Sequence, residues 1–330
     1  MFAMKENGLD QVVVDGVLNV NKPSAWTSHD VVAKLRGVLR GHRVGHAGTL
    51  DPAATGVLPV LVGRATRIAE YLLEWDKNYR AVLRLGQTTD TLDATGTVLS
   101  ECVTDGLTNA AIQSAFALFH GDIHQVPPMY SAVKVGGVPL YKAARAGKTI
   151  EREVRRVTIH DLQILTIDGR DVTFQVRCSK GTYVRTLCAD IGEALGVGGH
   201  LLALERRRVG PLHIERSCTI DQALDAIRTG HVHQFLTLDE ALAHLPALMV
   251  RQVAAERTQH GVPIPLHAVQ WDRVSDRGAS LGGRTVRIQD PSGRLLAVGS
   301  VPRDASRPDG VVTIVKVFVE IGQSAIETIS

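Results

Sequence analysis

The stretch GHAGTLDPAATGVLP (45–59) sets one Asp-Pro pair in a loop of Gly, Ala and Thr, five residues after a histidine. One reading of Asp51 is structural. Its carboxylate suits a helix N-cap, where it accepts from the first free backbone N–H groups. Pro52 then fits the first helical position and Gly56 the exit, framing a single helical turn. The other reading is a carboxylate kept for chemistry. The flanking chain has to decide between them.

To the N-terminal side, GVLNVNKP (16–23) reads as a strand ending at Lys22-Pro23. TSHDVVAKLRGVLR (27–40) follows, with Thr27 and Asp30 in the capping-box spacing and Val32, Leu35 and Leu39 on one helical face. To the C-terminal side, VLPVLVG (57–63) is a short apolar run and RATRIAEYLLEW (64–75) has a helical pattern. In NYRAVLRLGQ (78–87), Tyr79, Ala81, Leu83 and Leu85 alternate with Arg80 and Arg84, as in a half-buried strand. TDTLDATG (89–96) is turn-forming, and TNAAIQSAFALFHG (108–121) is a helix stopped by Gly. Residues 125–147 open on Pro-Pro and close in a short basic helix. Residues 157–178 form a hairpin about Asp168-Gly169, and 179–196 pass through a Gly turn into a helix. Strands and helices mix without regular βαβ alternation, which predicts an α+β fold. Beyond Pro246 the chain turns to short strands, at 284–301 and 310–320, with Gly, Pro and Asp turns. Two domains are expected, 1–248 and 249–330, the second of ordinary small-domain size.

The bulk composition is that of a globular chain: 330 residues, 44% hydrophobic and 22% charged, with a net charge of +3. That mild basicity is compatible with a polyanionic partner without requiring one. The four cysteines form no CxxC pair and have no His at zinc-ligand spacing, so buried free thiols and no metal site are expected. Neither a signal-peptide pattern nor an 18-residue apolar run is present, and a cytoplasmic location is expected, with no membrane partner.

Five segments then occur in order: GVLNVNKPSAWTSHDVV, RVGHAGTLDPAATGVLPVLVGRATR, KNYRAVLRLGQTTDTLDATG, VPPMYSAVKVGGVPLYKAARAG and CSKGTYVRTLCADIGEALGVGGHLLALERRRVG. Together they resemble the TruB-type tRNA pseudouridine synthases, closely over about 16–215. The tail from about 249 resembles, more weakly, a PUA-like RNA-binding domain. The resemblance implies a mixed or antiparallel-sheet pseudouridine synthase domain with a small β-rich PUA-like domain. It also implies conversion of uridine 55 in the tRNA T loop to pseudouridine, with assistance to tRNA folding as an added activity. Two positions depart from the family pattern. Ala25 stands where Gly is usual in K-P-x-G, and Leu212 where an aromatic is common. If the turn at 25 needs a positive φ, Ala strains it.

The implied reaction breaks the N1–C1′ bond, turns the uracil and joins C5 to C1′. It adds no atom and moves no net electron, so no cofactor is expected. It needs a base taken out of its stack and a group that works at the ribose or pyrimidine. The resemblance assigns that group to Asp51, either attacking C1′ or starting a glycal route by proton removal; its small loop neighbours let an RNA backbone approach. Arg185, in GTYVR, matches the arginine that pairs with the aspartate and keeps it ionised against burial; on its own it reads as a surface arginine at a helix start. Tyr79 matches a tyrosine able to stack on the flipped uracil and relay a proton, although its alternation with Ala81, Leu83 and Leu85 equally describes a core residue. Tyr183 and Leu204 match positions lining the uracil pocket, and His46 the histidine whose ring replaces the flipped base in the T loop. Asp93 matches a position near the flipped nucleotides or is a plain turn residue. Lys22 matches a residue that supports the Asp51 loop. The run Arg206, Arg207 and Arg208 reads as a solvated face or a phosphate contact.

The competing functions are an RNA chaperone without turnover and a guide-dependent synthase of the dyskerin kind. The presence of Asp51, Tyr79 and Arg185 together argues against the first. The first motif starting near residue 16 and the lack of a basic tail point to a stand-alone bacterial form, a monomer acting on the T arm of tRNA without an obligate protein partner.

Overall fold

The computed structural model describes residues 15–39, 41–131, 133–229, 235–270, 281–304 and 309–318. Backbone contacts divide the chain into two compact units, one of Asn19–Val60 and Leu73–His231, the other of Met1–Leu18, Leu61–Leu72 and Val232–Ser330. The division passes through two strands, β1 (Gly16–Lys22) and β3 (Thr55–Val62). It differs from a single break at 248/249, because the smaller unit is discontinuous in sequence.

The larger unit is built on a mixed sheet. Its further strands are β2 (Val44–His46), β4 (Lys77–Leu85), β5 (Gly121–Gln125), β6 (Arg155–Asp168), β7 (Asp171–Cys178) and β8 (Gly199–Val209). The order is β1-β3-β8-β4-β7-β6-β5, with β2 beside β3. Strand β8 runs parallel to β3 and antiparallel to β4, so the sheet is mixed, as the irregular alternation of elements predicts. The alternating face of β4 is buried as expected: Tyr79, Ala81, Leu83 and Leu85 all enter one core cluster. The uninterrupted apolar run in β3 is buried at every position from Gly56 to Val62, the signature of a strand covered on both faces.

Three helices frame this sheet: α1 (Ser28–Val38), α2 (Asn109–Ala117) and α3 (Val184–Ala194). The Thr27 hydroxyl accepts from Asp30 N at 3.0 Å and the Asp30 carboxylate from Thr27 N at 2.8 Å, closing the capping box read from the sequence. Helices α2 and α3 pack on the β4-β7 face through Ile112, Phe116, Leu187 and Ile191. Phe116 meets Phe174 edge-on, with ring centroids 5.3 Å apart. The β6-β7 hairpin closes at Asp168 and Asp171 around Gly169, whose φ is +55°.

The smaller unit carries a five-stranded sheet, formed by β9 (Ala247–Met249), β10 (Ile264–Pro265), β11 (Thr285–Gln289), β12 (Leu295–Ser300) and β13 (Val311–Val317) in the order β9-β11-β12-β13-β10. Helix α4 (Gln252–Gln259) packs Ala254 and Ala255 into its core beside Leu248, Ile288, Leu296 and Val312. Residues 64–75 are not one helix: a 3-10 turn at Gly63–Ile68 precedes a short α-helix at Ala69–Leu73. This segment holds β13 within the same unit. Arg64 Nη1 donates to Phe318 O at 2.5 Å, Arg67 Nη1 to Val317 O at 2.6 Å, and Lys316 pairs with Glu70 at 2.7 Å.

Ala25 has φ +65°, so the turn after Lys22-Pro23 does take the left-handed conformation that strains alanine. Ala25→Gly is expected to raise unfolding stability by about 0.5–1 kcal/mol without altering the fold, read from the midpoint of urea unfolding. Of the cysteines, Cys178, Cys188 and Cys218 are buried free thiols as expected, whereas Cys102 is exposed.

Candidate active site

Asp51 does not cap a helix. Residues 51–54 form a turn closed by Ala54 N donating to Asp51 O at 3.1 Å, and β3 starts at Thr55. Gly56 is likewise no helix exit: it lies in β3 opposite Arg206 of β8, at φ +104°. A Cβ there would stand 2.3 Å from Arg206 O and 2.8 Å from Arg206 N. Gly56→Ala is therefore expected to cost about 2–5 kcal/mol through backbone strain and overpacking, visible as a large drop in Tm.

The loop bearing Asp51 is held from several sides. Ser28 Oγ accepts from Leu50 N at 2.9 Å and donates to Leu50 O at 3.2 Å. Lys22 is fully buried, and its Nζ donates to the carbonyls of Pro23, Trp26 and Pro52 at 2.8, 2.6 and 3.1 Å. Burial lowers its pKa to about 8, with Arg206 acting in the same direction and Asp51 and Asp30 opposing. Arg206 is also buried. Its Nε donates to Val57 O at 2.7 Å, and its two Nη atoms to Gly48 O at 2.9 Å and Thr49 O at 3.4 Å.

With the backbone so pinned, the Asp51 side chain meets Arg185 at the first turn of α3. Arg185 Nε lies 3.0 Å from Asp51 Oδ2, and Nη2 donates to Oδ1 at 3.4 Å, a two-pronged pair. Arg185 is 5% exposed, so it is not a surface arginine. Its remaining donors go to Thr91 O at 3.2 Å and Tyr130 O at 2.8 Å. Asp51 keeps 40% of its side-chain surface exposed. The surrounding protein still removes enough water to push its carboxyl above the ordinary carboxylate range. Arg185 pulls it back, Asp93 adds to the rise and Lys22 opposes it.

Asp93 is a turn residue that also faces Arg185. One oxygen, Oδ1, accepts from Thr95 N at 3.0 Å and from the hydroxyls of Thr91 and Thr95 at 2.8 and 2.6 Å, shaping the turn. The other, Oδ2, faces Arg185 Nε at 3.8 Å.

Tyr79 lies on β4 directly opposite Arg206 of β8, close enough for the guanidinium to act on its phenol. Burial pushes the phenol above its usual pKa, Arg206 pulls it down and Asp51 raises it further. Leu204 pairs with Ala81 on the same two strands and packs half-buried against the core. Tyr183, at the start of α3, is placed by Gln125. The Gln125 amide donates to Tyr183 O at 3.2 Å and accepts from Tyr183 N at 3.0 Å. His46 on β2 has its pKa lowered by burial first, then by Arg206 and His29, and its Nδ1 is buried without a hydrogen-bond partner.

The structure thus joins Asp51, Arg185, Asp93 and Lys22 through direct bonds or shared loop contacts, and sets Tyr79 opposite Arg206. It separates the three consecutive arginines. Arg206 is internal, Arg207 pairs with Glu205 and Glu215 at 3.1 and 2.6 Å, and Arg208 Nε donates to Gly210 O at 2.8 Å. The sequence reading missed Arg206 and Gln125. Period-two alternation through Leu204 in LLALERRRV was the signal that could have turned Arg206 inward.

Residues 36–184 match the TruB family pseudouridylate synthase N-terminal domain, and 185–247 the tRNA pseudouridylate synthase B C-terminal domain. The chain is 43% identical over 304 residues to the tRNA pseudouridine synthase B of Burkholderia lata, covering 91% of each. It belongs to the TruB family of pseudouridylate synthases. The synthase is also 40% identical to the tRNA pseudouridine synthase B of Syntrophotalea carbinolica, over 94% of this chain and all of the relative. Among solved structures, a chain of a Cbf5-Nop10-Gar1 complex matches at TM-score 0.73 and 28% identity, over 97% of this chain and 89% of that one. A chain of an H/ACA RNP bound to a substrate RNA containing 2'-deoxyuridine matches at TM-score 0.72 and 26% identity, over 96% and 88%. These matches establish the α+β pseudouridine synthase fold with a β-rich C-terminal part, and an isomerase. No helix among the described residues is long and apolar enough to cross a membrane.

Proposed function

We propose that this synthase converts uridine 55 in the T loop of tRNA to pseudouridine. The observation that carries the reading is the Asp51 carboxylate gripped by buried Arg185 at 3.0 and 3.4 Å and still partly exposed. Family membership supplies the reaction, and curated relatives named tRNA pseudouridine synthase B along 91% of the chain supply tRNA as the substrate class.

The target base leaves its stack and approaches the exposed part of Asp51. Asp51, kept ionised by Arg185, opens the glycosidic bond from the ribose side. The Tyr79 ring stacks on the detached uracil, and its hydroxyl serves the proton that leaves C5. Tyr183 and Leu204 confine the base while it turns, and Asp93 steadies Arg185. His46 is held neutral by its lowered pKa and carries an unpaired ring nitrogen, which suits a ring that takes the place of the flipped base. Lys22 supports the loop through Pro52 O. The chemistry asks for no cofactor. The part from 249 onward acts as a PUA-like module that binds RNA, and the T-loop opening that flips the base also helps tRNA to refold.

The fold likeness to chains of H/ACA assemblies raises a second reading, a synthase directed by guide RNA. Identities of 40–43% to relatives named tRNA pseudouridine synthase B, against 26–28% to those chains, favour the reading of a monomer acting alone. Both readings are separated by carbodiimide mapping of an unmodified tRNA transcript treated with the purified chain. The expected result is a single pseudouridine at position 55. Modification at another position, or only after a guide RNA is added, would overturn it.

A further inference from the structure

The Arg206 guanidinium lies outside the roles assigned above, yet it is among the largest fully buried side chains of the molecule, at 1% exposure. A buried cation is costly unless its donors are all used. Here the guanidinium meets two groups. Three bonds go to the carbonyls of Gly48, Thr49 and Val57, which bracket Asp51 on both sides in sequence. The other group is the Tyr79 side chain, which sits opposite Arg206 across the β4-β8 pair and within its electrostatic reach. The backbone of β8 at this residue also approaches β3 so closely that only glycine fits at 56.

We propose that Arg206 is a positioning residue for the isomerisation, one rigid fork that sets the Asp51 loop and the Tyr79 hydroxyl in register with each other. The inference rests on the reading of Asp51 and Tyr79 given above and extends it to how the two are aligned. A guanidinium can only donate. In the bond proposed here the phenol oxygen accepts from Arg206, and the Tyr79 proton points away from it. Without this bond the hydroxyl is free to rotate, and its oxygen loses the nearby positive charge that opposes burial and Asp51. Lysine at this position keeps the charge but not the planar, multi-pronged geometry. It can hold a loop carbonyl or the phenol, but not both sets.

The test is a double-mutant cycle on single-turnover rates with saturating tRNA, using Arg206→Lys, Tyr79→Phe and the pair. Wild type must first form pseudouridine, which checks the underlying reading separately. Arg206→Lys is expected to lower the rate about tenfold or more while changing tRNA affinity less than about threefold. In the Tyr79→Phe background the same change should cost less than about threefold, because its target is already gone. Equal losses in both backgrounds would reduce Arg206 to a loop support and overturn the proposal. Should Arg206→Lys fail to fold, ¹⁵N spectra of the buried, slowly exchanging guanidinium groups answer the same question. Tyr79→Phe in the otherwise intact chain is expected to shift one such set of resonances, and an unchanged spectrum would refute the bond.

Discussion

Asp51→Asn is expected to fold, to bind tRNA near wild-type affinity and to turn over at least about 10⁴-fold more slowly. The three parts have separate causes. Turnover falls because an amide is neither a nucleophile nor a base. Binding persists because the change is isosteric and most contacts to a tRNA are made to its backbone. Stability follows from the direction of the Asp51 pKa shift. Burial raises the carboxyl above its ordinary value despite Arg185. Between the ordinary and the raised value the folded chain binds more protons than the unfolded one, so stability falls as pH rises through that window. At neutral pH the ionised Asp51 is thus a cost to the fold. Asparagine is neutral at every pH and removes that cost, while Arg185 keeps Thr91 O and Tyr130 O. A Tm at pH 7 equal to or above wild type is expected, and calorimetry checks it. A variant that melts well below wild type would mean that the ion pair stabilises the fold.

Arg185→Met is expected to act through charge. It leaves Asp51 and Asp93 without the cation that lies 3.0 and 3.8 Å from them. The Asp51 carboxyl then rises further, since Arg185 is the largest influence opposing burial. In the proposed mechanism the reaction needs Asp51 ionised, so the acid limb of the pH–rate profile is expected to move to higher pH. The rate at neutral pH falls by about 10²–10³-fold, with recovery in part as the pH is raised. The fold also suffers, by about 3 kcal/mol, because a 5% exposed site now holds two facing carboxylates and two unpaired carbonyls. Arg185→Lys restores the charge without the two-pronged geometry and should move the acid limb less than Met does. An acid limb unmoved in Arg185→Met would remove the arginine from the control of Asp51.

Much of this was legible in the residues. Alternation along 78–87 placed Tyr79 on the buried face of β4, and Thr27 with Asp30 announced the start of α1. What the sequence concealed was mostly long-range. Asp51-Pro52 followed by Gly56 has the local chemistry of a capped helix, and only the approach of β8, 150 residues later, makes Gly56 a strand glycine opposite Arg206. Three consecutive arginines look alike locally, yet pairing with Tyr79 across β4 turns one inward and leaves its neighbours to Glu205, Glu215 and Gly210. Arg185 reads as exposed because a cation at a helix start is common on solvated faces, even though the helix dipole disfavours it there. The carboxylates of Asp51 and Asp93 and two carbonyls outweigh that penalty inside the site. Residues 61–72 carry no local sign that Arg64, Arg67 and Glu70 bind β13, the last described strand, so the discontinuous compact unit is not legible beside the expected boundary at 248/249.

The central claim is that an ionised Asp51 isomerises the T-loop uridine, and tritium release tests it most directly. An unmodified tRNA transcript labelled with tritium at C5 of uridine loses that tritium to water when C5 bonds to C1′. The account predicts release of the label from one uridine per tRNA by the wild-type chain. It predicts none when position 55 is cytidine and none with Asp51→Asn. Binding of the tRNA by the wild-type chain without release, or release that survives Asp51→Asn, would contradict it.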